Sequence, residues 1–282
     1  MTRLLTPRAS VIGFPVRHSR SPKIHGFWLE QLGLNGSYES IEVRPEALQD
    51  FVQTLAARGF AGTNVTVPHK EAVVALCGTV SASAQALGAV NTVWLRDGVI
   101  HGDNSDVFGF LANLDAAAPG WDRAVKTALV LGAGGAARAV VFALQSRGVD
   151  AVLIANRTRE RADVLAVKFG EGVRARDWAT LAAVLPGCDL LINTTSLGMK
   201  GQPPLEIGVA ALPAHAIVCD IVYVPLETRL LVAAAARGLR TVGGLGMLLH
   251  QAVLGFSHWF GATPTVTPEL YALISADIER RL

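Results

Sequence analysis

Short apolar runs alternate along this chain with longer segments in which apolar residues recur every three or four positions. The runs predict β-strands, and the longer segments predict amphipathic helices. In the first part the pattern predicts strands at residues 10–14 and 38–43 and from 59, helices at 22–31, 45–58 and 105–114, and a hairpin turn at 96–98. In the second part it predicts strands at 126–131, 151–155, 189–193 and 217–223. It also predicts helices at 135–144, 158–169 and 243–260, a helix that ends near 185, and a final helix that begins at 268. Such alternation predicts two α/β domains.

A glycine-rich turn follows the apolar run that ends at Leu131. Gly132, Gly134 and Ala137 match G-x-G-x-x-G/A, in which small residues allow a tight turn, the approach of a pyrophosphate and close packing of the next helix. Gly135 and Ala136 begin that helix, whose N-terminal N–H groups attract phosphate. Because the turn stands between a predicted strand and a predicted helix, it predicts a dinucleotide site.

The next predicted strand ends at Asn156, where NAD-binding domains usually carry an acid for the ribose hydroxyls. Arg157 and Arg161 follow, and guanidinium groups bind a 2′-phosphate bidentately. Alternatively, Asn156 and Thr158 cap the next helix while the arginines are solvated, and Thr158 is a cap in either case. The missing acid and the nearby arginines favour NADP over NAD.

Polar side chains also follow the predicted strands of the first domain. Ser21 stands before Pro22 and is predicted to cap a helix, and together with Ser19 it can also hold a small carboxylate. Asn64, Thr66 and Lys70 end the strand that begins near 59. Such groups are costly in a core, but α/β ligand sites form at the carboxyl ends of strands.

Two further polar positions belong to the same half of the chain. Asn91 interrupts an apolar run, and Asp106 follows Asn104 and Ser105, either of which can cap the helix beginning there. An acid in the first turn of a helix is also ordinary dipole chemistry, so Asp106 alone does not identify a site.

Composition narrows the classes of function. The 282 residues are 51% hydrophobic and 17% charged, which predicts a large core rather than disorder. A net charge of +2 without basic runs argues against a nucleic-acid partner. No apolar run reaches the ~18 residues of a membrane span, and the N-terminus lacks a signal-peptide segment. The scattered Cys77, Cys188 and Cys219 suggest a reducing compartment, so a cytoplasmic protein is predicted, and no residue cluster predicts a metal site.

In chain order the motifs at 19–22, 64–70, 88–92, 104–106, 132–137, 156–158, 192–196 and 244–251 resemble shikimate dehydrogenases over almost the whole sequence. The segment from Asn64 to Lys70 carries this resemblance more specifically than the glycine-rich turn. The resemblance implies an α/β substrate domain (1–105), a Rossmann-like NADP-binding domain (106–243) and C-terminal helices (244–282) that pack on the first domain. It implies reversible NADPH-dependent reduction of 3-dehydroshikimate to shikimate in the aromatic amino-acid (chorismate) pathway. The partner is then a small molecule rather than nucleic acid or a membrane, and a homodimer is left open.

The resemblance also assigns roles to residues. Lys70 and Asp106 form the catalytic pair, and the substrate is expected to contact Ser19, Ser21, Asn64, Thr66, Asn91, Tyr223 and Gln251. The cofactor is expected to contact Gly132, Gly134, Gly135, Ala136, Asn156, Arg157, Thr158, Arg161, Thr195, Gly244 and Met247. Two positions depart from the family pattern: Ser105 replaces a common threonine, and Gly243 replaces an acid that is common before Gly244.

The chemistry fits this assignment independently. Reduction of a ketone needs a hydride on carbon and a proton on oxygen, and the Lys70 ammonium can donate that proton while Asp106 orients it. The alternatives are a quinate/shikimate dehydrogenase-like paralogue and a catalytically idle NADP-binding sensor. A sensor has no need for a proton donor, so Lys70 and Asp106 argue against it.

Overall fold

The computed structural model describes residues 6–281, which form two α/β units. The first unit comprises the chain up to Asp106 together with Leu249–Ile274, and the second comprises Val107–Leu248 with the chain from Ser275. Each unit contains one six-stranded sheet within the described residues. The predicted α/β fold class with a Rossmann-like domain is therefore confirmed.

The first unit is built on a mixed sheet of strand order β2-β1-β3-β5-β6-β4. Its elements are β1 Arg8–Gly13, α1 Ser21–Gln31, β2 Ser37–Glu42, α2 Leu48–Gln53, β3 Phe60–Val65, β4 Thr79–Val80, α3 Ala82–Leu87, β5 Thr92–Arg96 and β6 Val99–Asp103. Strands β1, β2 and β3 run parallel, whereas β5 is antiparallel to β3 and to β6. Asp97 and Gly98 join β5 to β6 with φ of 52° and 75°, the left-handed backbone that a two-residue hairpin requires.

The second unit is a parallel sheet of strand order β12-β11-β10-β7-β8-β9. Its elements in chain order are α4 Ser105–Ala117, whose first two residues belong to the first unit, α5 Trp121–Ala124, β7 Thr127–Leu131, α6 Gly135–Ser146, β8 Ala151–Ala155, α7 Arg159–Phe169, β9 Val173–Arg176, α8 Leu181–Val184, β10 Leu190–Asn193, β11 Ile217–Asp220, α9 Arg229–Ala236 and β12 Arg240–Gly243. This is the doubly wound order of dinucleotide-binding domains, in which the strand order reverses beside β7. Residues of β7 and β10 are almost fully buried because helices cover both faces of such a sheet.

The chain ends in two helices, α10 Leu245–Phe260 and α11 Pro268–Glu279. In the first unit, the Trp259 indole of α10 lies on β3 and β5, where its Nε1 donates to the Val93 carbonyl at 2.9 Å. A Cβ on Gly62 would collide with that indole, so glycine is the residue that lets α10 pack so close to the sheet.

Several local predictions were wrong. The helix predicted at 45–58 is a 3₁₀ turn, Pro45–Ala47, and a short α2, after which the Thr54 hydroxyl donates back to the Asp50 carbonyl. The strand predicted at 217–223 ends at Asp220, because the Asp220 carboxylate accepts the Val222 N–H. Strand β9, helix α9 and strand β12 were not predicted.

Candidate active site

The proposed catalytic pair is formed within the first unit. The Lys70 ammonium lies 2.6 Å from Asp106 Oδ2, with the two side chains 30% and 15% exposed. Lys70 follows β3 and Asp106 lies in the first turn of α4, so two elements distant in sequence meet at one point. The Asn104 side chain caps α4 by accepting the Asp106 N–H at 3.1 Å. Of the two predicted caps, Asn104 makes this bond, and Asp106 is thereby held by its backbone as well.

A buried amide, Asn91, connects this pair to its surroundings. Its Nδ2 donates to Asp106 Oδ1 at 2.9 Å, so both carboxylate oxygens have a partner. Its Oδ1 accepts from the Ser105 N–H at 2.8 Å and from the Thr92 hydroxyl at 2.9 Å. The backbone of Asn91 fixes its place, since its N–H donates to the Asp103 carbonyl and its carbonyl accepts the Val65 N–H. The orientation of this amide is therefore determined by its neighbours.

Gln251 joins the same network from α10. Its Oε1 lies 3.4 Å from Asn91 Nδ2 and 3.5 Å from the Ser105 hydroxyl, at the long limit of hydrogen bonding. Gln251 was predicted from the family pattern, whereas Ser105 was predicted only as a cap and a departure from that pattern. In the structure the Ser105 hydroxyl links Asn91, Thr92 and Gln251.

Ser19 and Ser21 lie together before α1, with their hydroxyl oxygens 3.2 Å apart. The prediction that Ser21 caps this helix was wrong. Helix α1 begins at Ser21 itself, so Arg20 is the N-cap residue, and its side chain makes no capping hydrogen bond. Instead, the Ser19 hydroxyl accepts the Ser21 N–H at 3.3 Å, while the Ser21 side chain is buried. The Ser21 hydroxyl accepts from the Ser19 hydroxyl instead of capping the helix.

Asn64, at the end of β3, completes the set of amides. Its Nδ2 lies 3.2 Å from the Asn91 carbonyl and 3.3 Å from the Thr92 hydroxyl, while its Oδ1 accepts from the Tyr38 hydroxyl at 2.6 Å. Thr66 follows two residues later, half-buried, with its N–H on the Ile12 carbonyl. Six of the predicted substrate residues, namely Ser19, Ser21, Asn64, Thr66, Asn91 and Gln251, thus belong to the unit that carries Lys70 and Asp106.

The second unit carries the glycine-rich turn between β7 and α6. Gly132 has a φ of 107°, and a Cβ there would lie 2.7 Å from the Thr194 hydroxyl, so the turn requires glycine. Gly134 and Gly135 are exposed, with open space where a Cβ would stand, and α6 begins at Gly135 without a side-chain cap. Ala136 is half-buried in the first turn of α6. A helix N-terminus without side chains leaves its N–H groups to an incoming phosphate, so these residues fit a dinucleotide.

The residues after β8 fit the ribose end of such a cofactor. Asn156 donates through Nδ2 to the Thr158 carbonyl at 2.7 Å, and Thr158 holds the cap position of α7 without a side-chain bond. Arg157 and Arg161 are exposed and have no acidic partner among residues 6–281. Arg159, in contrast, is paired with Asp163 at 3.0 Å. Two unpaired guanidinium groups are therefore available beside the turn that follows β8.

The remaining predicted residues lie after β10, β11 and β12. The Thr195 hydroxyl and N–H both donate to Asn193 Oδ1, at 2.7 and 3.0 Å, and Asn193 Nδ2 donates to the buried Asp220 at 2.9 Å. Burial raises the pKa of Asp220, although the Thr228 hydroxyl, the Val222 N–H and Asn193 all donate to it.

Gly244 packs so tightly on the Ile221 carbonyl that a side chain would collide with it. Tyr223 is half-buried and Met247 is buried in the first turn of α10. A Cβ on Gly243 would meet only ordinary contacts, so a side chain would fit at that position.

The comparisons with known proteins agree with this geometry. The shikimate dehydrogenase substrate binding domain matches residues 11–93, the shikimate / quinate 5-dehydrogenase family matches residues 116–199, and the shikimate 5′-dehydrogenase C-terminal domain matches residues 244–267. The chain belongs to the shikimate dehydrogenase family. A relative from Methylocella silvestris named shikimate dehydrogenase (NADP(+)) is 58% identical over 276 residues, covering 98% of each chain.

Solved structures of shikimate dehydrogenases show the same fold. The enzyme of Thermus thermophilus, in complex with NADP(H) and shikimate, is 40% identical with a TM-score of 0.84, over 98% of this chain and 100% of that one. A quinate dehydrogenase from Corynebacterium glutamicum, in complex with NAD, is 32% identical with a TM-score of 0.88, over 96% and 99% of the two chains. Identity is therefore higher to the shikimate enzyme than to the quinate enzyme.

This member of the shikimate dehydrogenase family carries no candidate metal cluster within residues 6–281, and none of its helices there is long and apolar enough to cross a membrane. Its described cysteines are free thiols, with Cys188 and Cys219 buried.

Sequence reasoning missed two residues of this protein that lie beside Asn64, one of the predicted substrate residues. Tyr38 was recognised only as part of a strand, yet its hydroxyl donates to Asn64. His25 is fully buried, and its ring is parallel to that of Tyr38 with 3.9 Å between centroids. Burial lowers the pKa of His25 to about 3, and an interaction with the Asn64 side chain offsets only a small part of this effect. The alternation of β2 and the helical period of α1 each describe one element, so they could not predict that these two rings stack.

The pKa of His25 makes an acid-stability prediction. An unfolded chain binds a proton below its ordinary pKa of 6.5, whereas the folded protein binds it only near pH 3. The contribution of neutral His25 to the free energy of unfolding is therefore fully present above pH 6.5. It is lost as the pH falls from 6.5 towards 3, by about 1.4 kcal/mol per pH unit. Urea unfolding of the wild type and of His25→Phe at pH 7, 5.5 and 4.5 measures it. The wild type should lose stability relative to the variant with falling pH, and a difference independent of pH would contradict the prediction.

Proposed function

We propose that the protein catalyses the reversible NADPH-dependent reduction of 3-dehydroshikimate to shikimate in the aromatic amino-acid (chorismate) pathway. The observation that carries this proposal is the Lys70–Asp106 pair, with 2.6 Å between Nζ and Oδ2, surrounded by amide and hydroxyl groups in one unit. The names of relatives at 54–58% identity support the same reaction.

In this reaction Lys70 is the proton donor. Its ammonium group protonates the carbonyl oxygen as negative charge develops there, and in the reverse direction the neutral amine removes the hydroxyl proton. Asp106 holds the ammonium through Oδ2, and Asn91 holds Asp106 through Oδ1, so the donor is oriented before the substrate arrives.

The substrate is bound by neutral groups. The hydroxyls of Ser19 and Ser21 receive the carboxylate beside the N-terminus of α1, whose dipole favours a negative charge. Asn64, Thr66, Asn91 and Gln251 bind the ring hydroxyls. Amide and hydroxyl side chains suit an uncharged polyol ring, because each can both donate and accept.

The second unit fits NADP. Gly132, Gly134, Gly135 and Ala136 would hold the pyrophosphate, and Asn156, Arg157, Thr158 and Arg161 would hold the ribose 2′-phosphate. Thr195, Gly244 and Met247 are proposed to border the nicotinamide. When bound, NADPH supplies the hydride.

A quinate dehydrogenase is the second candidate, because a solved structure of that activity shares the fold. A sensor is less well supported, since the Lys70–Asp106 pair is intact. A contact of Tyr223 with the substrate, a homodimer and a cytoplasmic location stay predictions from the sequence.

Turnover with two substrates distinguishes the candidates. Quinate has an additional hydroxyl on the carbon that bears the carboxylate, and this hydroxyl needs a partner beside the buried Ser21. An unpaired buried hydroxyl costs ~1–3 kcal/mol, so kcat/KM should be at least about tenfold higher for shikimate. Formation of the reduced cofactor at 340 nm from each substrate, NADPH with NADP⁺ and NADH with NAD⁺, measures the preference. Equal kcat/KM values would favour the quinate enzyme, and no turnover of either substrate would favour the sensor.

Replacement of Lys70 by methionine should lower kcat by ~10²–10⁴-fold, because it removes the general acid and the charge at the developing alkoxide. NADP⁺ affinity should be nearly unchanged. Lys126→Met, which removes an exposed lysine of the second unit, is the matched control and should turn over like the wild type. A Lys70 variant with near wild-type kcat would exclude this residue as the proton donor.

Replacement of Arg157 by alanine should weaken NADPH binding by ~1.5–3 kcal/mol and leave NADH binding almost unchanged, because a charge-assisted bond to the 2′-phosphate is lost. Arg159→Ala is the control, since that guanidinium is already paired with Asp163. Fluorescence titration with both cofactors measures the effect. Equal losses for NADPH and NADH would mean that Arg157 serves another purpose.

A further inference from the structure

An asparagine, Asn113, lies in the interior of α4 within the second unit, although asparagine is a poor helix former. The residue is buried, with only 8% of its surface exposed. Backbone groups in a helix interior bond to one another, so α4 itself has no need of this amide. A buried amide without partners is destabilising, so the bonds that Asn113 makes outside α4 explain its presence there.

The Asn113 amide contacts the chain that joins β12 to α10, here called the β12–α10 turn (Gly243–Gly246). Asn113 Nδ2 donates to the Gly243 carbonyl at 2.9 Å. Asn113 Oδ1 lies against Gly246, where a Cβ would collide with the amide. One side chain therefore touches both the last residue of β12 and the first turn of α10.

The backbone that follows β11 makes a further contact with this turn. Gly244 lies so close to the Ile221 carbonyl that it has no room for a side chain. The Ile221 N–H in turn donates to the Asn193 carbonyl at 3.1 Å, and the Asn193 side chain accepts from Thr195. The Ile221 backbone and the Asn113 amide therefore both fix the β12–α10 turn.

We infer that Asn113 is a positioning residue for the nicotinamide end of the cofactor, because it fixes the turn that contains Gly244 and leads into Met247. Both of these residues are proposed to border the nicotinamide. Without the Asn113 bond the Gly243 carbonyl loses this partner and the turn can shift, and a small displacement of the ring is enough to slow hydride transfer. The residues proposed to hold the phosphates follow β7 and β8 instead, so the effect should be confined to the nicotinamide. This inference rests on the proposed function, from which it takes the place of that ring.

The test compares the whole cofactor with 2′-phospho-ADP-ribose, a fragment that lacks the nicotinamide. Asn113→Ala removes the amide, and Asn113→Leu replaces it with an apolar side chain of similar size. Gln145→Leu is the matched control, because the Gln145 amide also joins a helix of this unit, α6, to backbone carbonyls, those of Phe169 and Glu171 at 3.1 and 3.2 Å. Calorimetry gives Kd for NADP⁺ and for the fragment, steady-state assays give kcat and KM, and a thermal scan gives Tm.

Both Asn113 variants should raise Kd and KM for NADP⁺ by about three- to tenfold, the equivalent of one neutral hydrogen bond. Kd for the fragment should stay within about twofold of the wild type, and Gln145→Leu should behave as the wild type throughout. A wild-type Kd for NADP⁺, or an equal loss for NADP⁺ and the fragment, would overturn the inference and leave Asn113 a packing residue. If Asn113→Ala fails to fold, Asn113→Leu decides by the same comparison.

Gly246→Ala disturbs the same contact from α10, because its Cβ would displace the Asn113 amide. Alone it should cause the same loss for NADP⁺ and spare the fragment, and it decides the question if neither Asn113 variant folds. Combined with Asn113→Ala, the two losses should not multiply, because one contact can be lost only once. Losses that multiply would show independent roles and overturn the inference. Absence of shikimate turnover in the wild type would refute the proposed function instead, whereas the comparison of Kd values needs no turnover, so the two failures are distinct.

Discussion

The hydrogen bonds of Asn91 are the interactions on which the proposed substrate site depends. Every polar atom of this residue is engaged: the backbone with Asp103 and Val65, the side-chain oxygen with Ser105 and Thr92, and the side-chain nitrogen with Asp106. Because Asp106 in turn holds Lys70, the position of the Lys70 ammonium is set by a neutral amide that is itself buried. A buried amide with all its partners is rigid, and the loss of one partner would leave a buried polar atom of Asn91 unsatisfied.

The second unit uses a similar arrangement at its own strand ends. Asp220, fully buried, receives hydrogen bonds from Asn193, Val222 and Thr228, and thereby joins the segments that follow β10 and β11. Asn193 then holds Thr195 by two further bonds. In both units one buried polar side chain orders loops at the carboxyl ends of strands, where α/β proteins bind their ligands. The loops are consequently set by hydrogen bonds rather than by packing alone.

Local sequence features predicted what depends on local physics. The glycine-rich turn was recognised from its motif, which is local because a φ of 107° at Gly132 requires glycine. Lys70 stood out as a charged group at the end of a predicted strand, whereas its pairing with Asp106 came from the family resemblance. Strand β9 was missed because Val173–Arg176 carries two arginines in four residues and no apolar run. Helix α9 could have been found, since Thr228 caps it and an apolar period follows.

The parts that could not be predicted depend on contacts between distant segments. Ser21 has the sequence of a cap, yet Ser19 takes the backbone bond and the helix starts one residue earlier than the cap rule implies. The stack of His25 on Tyr38 joins α1 to β2, and no period within either element pairs two particular rings.

Burial keeps His25 uncharged at neutral pH in the unit that carries most of the proposed substrate residues. Apart from Lys70 and Asp106, the residues predicted to bind the substrate are serine, threonine, asparagine, glutamine and tyrosine, which carry no charge at neutral pH. A protonated His25 would add a cation without a counter-ion to the interior behind them, at a large desolvation cost. With the pKa of His25 near 3, the imidazole is uncharged at neutral pH and can act only through its shape and its lone pair or N–H. The Lys70–Asp106 ion pair therefore remains the one charged feature among the proposed substrate and catalytic residues.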